Sequence, residues 1–193
     1  MHKLTRNDLF SLEKYAEVRA DFRRKVIAHK KNRRLALDAH ITLYFEDVLT
    51  VQYQIQEMLR IERIFEAAGI QEELDVYGAL IPDGHNWKAT FMIEYADEFE
   101  RKQALAQMLG IEQTVWMQVE GFDPVYAIAN EDLDRSAPDK TASVHFMRFE
   151  LTPTMRAAAV SGAHLHAGVD LPVCLAHREV PENVRAALVS DLA

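Results

Sequence analysis

The sequence predicts an α+β fold in which N-terminal helices pack on a C-terminal, mostly antiparallel sheet of about four to five strands. Apolar residues recur at helical spacing in the first part of the chain, whereas apolar and polar residues alternate from residue 87 onward. The turn motif Pro82-Asp83-Gly84 separates the two patterns. With 49% hydrophobic and 27% charged residues among 193, the chain has the composition of a globular protein with a substantial core.

The first part of the chain is predicted to be mainly helical. Residues 5–31 are expected to form two helices or one bent helix, because apolar side chains recur there at spacings of three and four. These side chains are Tyr15, Val18, Phe22 and Val26. Alternation over 40–45 predicts a strand, and the clearest helix follows over 49–67, with Gly69 as the expected breaker. A short helix is expected near 71–77.

The second part is predicted to combine strands with short helices. Strict alternation predicts a strand over 87–95, and Gly110 is expected to end a helix over 97–109. The remaining predicted elements are a hairpin of strands at 115–119 and 125–129, a strand over 143–151, a short helix from Pro153, an irregular tail over 161–180, and a closing amphipathic helix.

The chain is expected to form a single domain over 1–193, with a helical part over 1–80, a sheet-rich part over 81–160, and an irregular tail plus helix over 161–193. No apolar run reaches the length of a membrane span and no signal peptide is evident, which predicts a cytoplasmic protein. Because Cys174 is the only cysteine, an internal disulfide is excluded.

The net charge of −8 conceals a basic segment between residues 19 and 34, where eight basic residues stand against the single acid Asp21. The candidates for binding an anion or a partner are Arg19, Arg23, Arg24, Lys30 and Arg34. Three interpretations stay open: a solvated helix face, a docking site for an acidic protein or a phosphate-bearing ligand, and a nucleic-acid site. Nucleic acid is the least favoured, because the rest of the chain is acidic and no aromatic residues are interleaved for base stacking. A homo-oligomer that covers the basic segment is compatible with the sequence.

Four residues form a candidate catalytic site: Glu57, Glu62, His145 and Arg148. Glu62 falls within the apolar arc of the helix over 49–67, where a carboxylate must be paired, protonated or bound to a metal. His145 shares the more apolar face of its strand, so we expect it near Glu62 as a general base or half of a metal site. The alternatives are an ion pair of purely structural value, a solvated helix end, and a histidine whose hydrogen bonds are satisfied in the core.

A second candidate metal site lies in the tail, where histidine and cysteine ligands cluster within fourteen residues. The cluster consists of His164, His166, Cys174 and His177. Iron or zinc is the metal that such nitrogen and sulfur ligands favour. Because the spacing matches no established zinc motif, histidines exposed on an irregular tail are the alternative.

Several segments resemble a bacterial family known as a domain of unknown function, family 3501. The resembling segments are Leu80-Ile81-Pro82-Asp83-Gly84, Ser143-Val144-His145-Phe146, and the stretches 45–46, 50–62, 89–95, 131–135 and 141–151. The family pattern includes Gln56, Glu57, Arg60, Glu62, Glu131, Asp132, Arg135, His145 and Arg148. One departure is the tail, because family members often have Asp-His-Pro where this chain has Asp170-Leu171-Pro172.

The resemblance implies a functional context. Members are commonly encoded beside rubrerythrin-like di-iron proteins and iron–sulfur oxidoreductases of the heterodisulfide-reductase type, which implies a role in redox or peroxide stress. We therefore expect a cytosolic accessory or binding protein that docks such a partner through the basic segment. The alternative is a metal-binding protein or small enzyme with a buried Glu/His/Arg site. The motifs GxGxxG, GxxxxGK[ST], GxSxG and HExxH are absent from the sequence, so the enzyme classes that they mark have no local support.

Overall fold

The structure is a computed structural model that describes residues 3–131, 135 and 137–192. Within these residues the chain forms six α-helices, joined by loops and short 3-10 turns. The helices are α1 (Leu12–Lys30), α2 (Val48–Glu62), α3 (Ala67–Gly78), α4 (Glu98–Gln107), α5 (Pro153–Val160) and α6 (Glu182–Ser190). None of the helices that the structure describes is long and apolar enough to cross a membrane.

The strands form two sheets in which every pairing is antiparallel. They are β1 (Arg34–Ala36), β2 (Ile41–Phe45), β3 (Asn86–Ile93), β4 (Val115–Val119), β5 (Val125–Tyr126), β6 (Ile128–Ala129), β7 (Val144–Glu150), β8 (Leu165–Leu171) and β9 (Cys174–Glu179). The first sheet has the order β1-β2-β3-β7-β6 and the second sheet has the order β5-β4-β8-β9. The predicted α+β class is confirmed, with the strands divided between two sheets.

The larger hydrophobic core includes residues from both sheets. On β3 the buried side chains alternate, with Trp87, Phe91 and Ile93 in this core while Lys88 and Thr90 point to the opposite face. The second sheet contributes Val115, Met117, Val119, Leu165, Ala167 and Val169, and helices α4, α5 and α6 add further apolar residues to the same core. On β3, therefore, one face packs in this core and the other face carries the polar side chains Lys88 and Thr90.

Helices α1, α2 and α3 belong to a second, smaller assembly. Its buried apolar residues are Leu4, Val51, Ile55, Leu59, Leu74 and Ile81. The carboxylate of Glu46 connects α2 to the first sheet. It accepts hydrogen bonds at 2.6 Å from the hydroxyl of Thr50 on α2 and from the hydroxyl of Thr90 on β3. This contact sets the helices beside the face of the first sheet that carries Lys88 and Thr90.

The predicted helix over 49–67 is too long. It ends at Glu62, because Arg63 adopts the left-handed conformation at φ 56° and terminates the helix. Gly69, the expected breaker, instead lies inside α3. A Cβ atom at this position would lie 2.8 Å from Cγ2 of Ile64, so the glycine permits a close approach of the loop to the helix.

Two predictions about strands are also corrected. The segment 125–129 does not pair as one strand with 115–119, since β5 joins the second sheet and β6 joins the first. The tail over 161–180, predicted to be irregular, forms the antiparallel hairpin β8–β9. Pro172 lies in the two-residue turn between these strands, and Gly168 lies where a Cβ atom would clash with the indole ring of Trp116. Residues typical of loops therefore mark a turn and a close contact within regular strands.

Candidate functional site

The basic segment divides into cations that serve the fold and cations that face solvent. Arg33 is buried and forms ion pairs with Asp191 and Asp47 at 2.8 and 2.7 Å. Arg19 is bound to Glu57 at 2.7 Å. Arg34 is exposed on β1, where its guanidinium lies 5.8 Å from the centre of the Tyr44 ring.

Of the five remaining cations, Lys25 lines a separate cleft together with His29 and Arg33. The other four lie near the C-terminal end of α1, and we call Arg23, Arg24, Lys30 and Lys31 the basic face; Arg24 also forms an ion pair with Asp21. Three of the four are exposed and Lys30 is half-buried. They surround Ile27, because Arg23 and Arg24 precede it by four and three residues while Lys30 and Lys31 follow it by three and four. Ile27 is 46% exposed, so the basic face has an apolar side chain at its centre.

Glu57 connects α2 to α1 and is not part of a cluster of acids. Its carboxylate accepts two hydrogen bonds from Arg19 at 2.7 and 2.8 Å and one from the Tyr15 hydroxyl at 2.7 Å. Arg60 adds a fourth at 3.2 Å. The hydrogen bonds from Arg19 dominate in lowering the pKa of Glu57 to about 2, so this group is ionised under all ordinary conditions.

The expected position of Glu62 within an apolar arc is wrong. The residue is exposed at the last position of α2, and its neighbours Ile61 and Phe65 are 62% and 64% exposed. The helical projection fails here because the helix ends at Glu62 and the chain turns away. Glu62 contributes to the raised pKa of Glu73, although burial of Glu73 is the larger cause.

His145 faces the core as predicted, and it is fully buried. Thr141 Oγ1 lies 2.8 Å from its Nε2 atom, and the side-chain amide of Asn130 lies 3.0 Å from its Nδ1 atom. The neighbouring carboxylate is that of Glu112, whose Oε2 atom is 4.0 Å from Nε2. The expected contact with Glu62 is therefore replaced by a buried cluster that involves Glu112 and Thr141.

Arg148 lies on the opposite face of β7 from His145. Its guanidinium binds Glu131 at 2.7 and 2.9 Å and also donates to Glu150. The four residues of the predicted catalytic site consequently lie at separate places in the fold: between α1 and α2, at the end of α2, in the core, and on the helix-facing side of the first sheet. Asp132, which belongs to the family pattern, lies outside the described residues.

The four predicted metal ligands of the tail do not converge. His166 and His177 share the outer face of the β8–β9 hairpin, with 3.4 Å between Nδ1 and Nε2. Cys174 points to the other face, where its buried thiol lies 3.6 Å from Asp38 Oδ2 and burial raises its pKa to about 11. His164 instead pairs with Glu179 at 2.7 Å. Among the described residues no group of three or more histidine, cysteine, aspartate or glutamate side chains is arranged to hold a metal ion.

The sequence interpretation missed a pocket of about 250 Å³ between α3 and the first sheet. Lys88 and Arg148, which pair directly across β3 and β7, both line it. The Nζ atom of Lys88 donates to the carbonyl oxygen of Ala79 at 2.7 Å, and burial is the largest cause that lowers the pKa of this lysine. A lysine within an apolar strand was the available signal, but only the tertiary structure shows what faces it.

The fold and these sites define a two-sheet α+β protein with a basic helical face and a separate cation-lined pocket. The chain belongs to the family described as "Protein of unknown function (DUF3501)", whose model matches residues 3–192. It is similar to a solved protein of unknown function from Burkholderia pseudomallei K96243, with 48% sequence identity, a TM-score of 0.95 and 100% coverage of both chains. No curated protein matches the chain.

Proposed function

We propose that this protein is a cytosolic accessory protein that binds an acidic surface of a redox protein through the basic face of α1. The observation that carries the proposal is the exposed Ile27 at the centre of Arg23, Arg24, Lys30 and Lys31. An apolar side chain within a ring of charged residues is the arrangement of a protein interface, where the centre excludes water and the rim provides complementary charge.

The same arrangement favours a protein over a nucleic acid. Nucleic-acid affinity comes mainly from cations that contact phosphates, and single strands add stacking on aromatic rings. Ile27 offers a base no stacking surface, and the charge of the whole chain is −8. The proposed partners are the rubrerythrin-like and iron–sulfur oxidoreductase proteins that the family resemblance implies. Binding in this way requires that such a partner present an acidic patch to the basic face.

The test is a binding titration with a purified rubrerythrin-like protein and, separately, a purified iron–sulfur oxidoreductase of the heterodisulfide-reductase type. The variant Arg23→Glu/Lys31→Glu reverses two charges of the basic face. The control Lys102→Glu/Arg178→Glu makes the same charge change at exposed positions on α4 and β9. We expect the first variant to weaken binding at least about tenfold and the control to leave it nearly unchanged.

Three outcomes would overturn the proposal. These are absence of binding to both proteins at low salt, equal weakening by both variants, and tighter binding to a DNA duplex than to either protein. Analytical ultracentrifugation of the protein alone covers the remaining possibility that a second copy occupies the basic face. A self-association that Arg23→Glu/Lys31→Glu abolishes would assign the surface to a homo-oligomer.

A second candidate function, binding of iron or zinc, is supported by the approach of His166 to His177 on the surface of the hairpin. Two imidazoles on neighbouring strands are half of a typical transition-metal site. The metal content of anaerobically purified, untagged protein tests this candidate. Near-stoichiometric metal that is lost in His177→Ala would support it, and metal-free protein that also fails to bind added zinc would reject it.

A further inference from the structure

The pocket between α3 and the first sheet combines an apolar lining with positive charge. Val76, Tyr77 and Leu80 line it from the end of α3 and the following loop, and Phe146 lines it from β7. Its volume of about 250 Å³ is below the range of about 300–1,000 Å³ that is typical of drug-sized ligands. The pocket therefore suits a small molecule with an apolar body.

Besides Arg148, two cations line this pocket: Arg135, whose guanidinium lies 4.5 Å from the centre of the Phe146 ring, and Lys88 on β3. The side chain of Lys88 is half-buried, and within the described part of the chain no carboxylate lies within 4.0 Å of its ammonium group. One hydrogen bond to the Ala79 carbonyl at 2.7 Å leaves two of its three protons for another acceptor.

The residue directly opposite Lys88 on β7 is also a cation, so it does not neutralise the charge of Lys88. Arg148 is its direct cross-strand partner, and two like charges in this relation destabilise a sheet. Arg148 is already neutralised by Glu131 and Glu150, which hold its guanidinium. Among the described residues, the ammonium group of Lys88 therefore has no ion-pair partner within 4.0 Å, and it lies beside an apolar surface.

We propose that this pocket binds a small monocarboxylate with an apolar body, whose carboxylate pairs with Lys88 and whose body packs against Tyr77, Leu80 and Phe146. Asp83, Glu131 and Glu150 act on the Lys88 ammonium group only from beyond ion-pair distance, so a single carboxylate in direct contact has room to pair with it. A dianion would meet stronger repulsion from Glu131 at the same wall. The ligand would complete the hydrogen bonds of Lys88 and reduce its repulsion with Arg148. The site shares no residue with the basic face of α1, so it is independent of the docking function proposed above.

The test is a titration of the unmodified protein with 3-phenylpropionate, in which calorimetry and amide chemical shifts detect binding. Two ligands of similar shape serve as controls: 3-phenylpropan-1-ol, which is neutral, and 3-phenylpropylamine, which is positive. We expect saturable binding of the carboxylate with a Kd of about 1 mM, and at least about fivefold weaker binding of both controls. Shift changes should concentrate at residues 76–80, 88 and 146–148.

A variant then tests whether the ammonium group of Lys88 binds the carboxylate of the ligand. Lys88→Gln is expected to weaken binding of 3-phenylpropionate about tenfold, whereas the matched change Lys102→Gln at an exposed position on α4 leaves it unchanged. The proposal is overturned if no saturable binding occurs up to 10 mM (about ten times the expected Kd), or if the alcohol binds as tightly as the carboxylate. It is equally overturned if Lys88→Gln folds and binds normally. The comparison of the three ligands decides the matter on the unmodified protein even if Lys88→Gln does not fold.

Discussion

At the scale of single residues, Glu57 has an environment that its sequence position does not reveal. The sequence predicts a catalytic role for it, whereas the structure shows that its carboxylate accepts hydrogen bonds from Arg19, Tyr15 and Arg60. A carboxylate held by several donors is a poor proton donor, because its charged form is strongly favoured. Its contribution is to hold α1 against α2, and α1 carries the basic face.

We predict that Glu57 stabilises the fold in a pH-dependent way. Its folded-state pKa of about 2 lies below the ordinary value of 4.5, so its contribution is fully present above about pH 4.5 and is lost as the pH falls towards 2. Glu57→Gln should cost about 1–2 kcal/mol of unfolding free energy at pH 7. Urea denaturation at several pH values measures this difference, which should vanish near pH 2. A difference that persists at pH 2 would contradict the account.

At the level of secondary-structure elements, two glycines differ in the space around them: Gly168 lies in β8, and Gly78 lies at the end of α3. A Cβ atom at Gly168 would lie 2.3 Å from Trp116 Cζ2 and 2.4 Å from the carbonyl oxygen of Ala176. The second of these is backbone and cannot move without disturbing the strand. By contrast, a Cβ atom built on Gly78 would have no neighbouring atom within 4 Å.

The two glycines therefore predict opposite effects of the same substitution. Gly168→Ala should destabilise the protein by more than about 2 kcal/mol, because the strand or the indole ring must shift. Gly78→Ala should be neutral or stabilise it by up to about 1 kcal/mol, because alanine favours the helix and its Cβ meets no neighbour. Thermal unfolding of both variants checks the pair. Equal effects would mean that the close contact at Trp116 is not important.

At the scale of the whole molecule, Arg33 connects α6 to helices α1 and α2. It is buried and makes two hydrogen bonds of 2.8 Å with the carboxylate of Asp191, just after α6. Asp47, at the start of α2, contacts the same guanidinium at 2.7 Å. One buried cation thus connects the ends of α1, α2 and α6.

Removal of one partner from this buried ion pair should be costly. We predict that Asp191→Asn lowers the unfolding free energy by about 2–4 kcal/mol, because Arg33 keeps a buried charge with less compensation. The control Glu182→Gln breaks the pair between the exposed Glu182 and the half-buried Arg185 on the same helix. It should not change Tm measurably, because the carboxylate of this pair lies in solvent. If both substitutions had the same small effect, the buried pair would not be what holds α6 in place.

Local sequence patterns predicted those features of the fold that depend only on the periodicity of apolar residues along the chain. The α+β class and the inward position of His145 follow from alternation and helical spacing, which need no knowledge of distant contacts. The error at Glu62 arose because a helical projection was extended to the point where Arg63 ends the helix. The hairpin β8–β9 was missed because Gly168 and Pro172 are also common in loops. The neighbours of Glu57, His145 and Lys88 depend on tertiary packing, which spacing does not encode.

The proposed docking surface is the basic face, with the exposed Ile27 at its centre. The most direct measurement compares Ile27→Asp with Ile61→Asp in binding to the iron–sulfur oxidoreductase, since both isoleucines are exposed on helices, at 46% and 62%. We expect Ile27→Asp to weaken binding at least about tenfold while Tm and helix content stay unchanged, and Ile61→Asp to bind like the unmodified protein. Undiminished binding by Ile27→Asp would contradict the account.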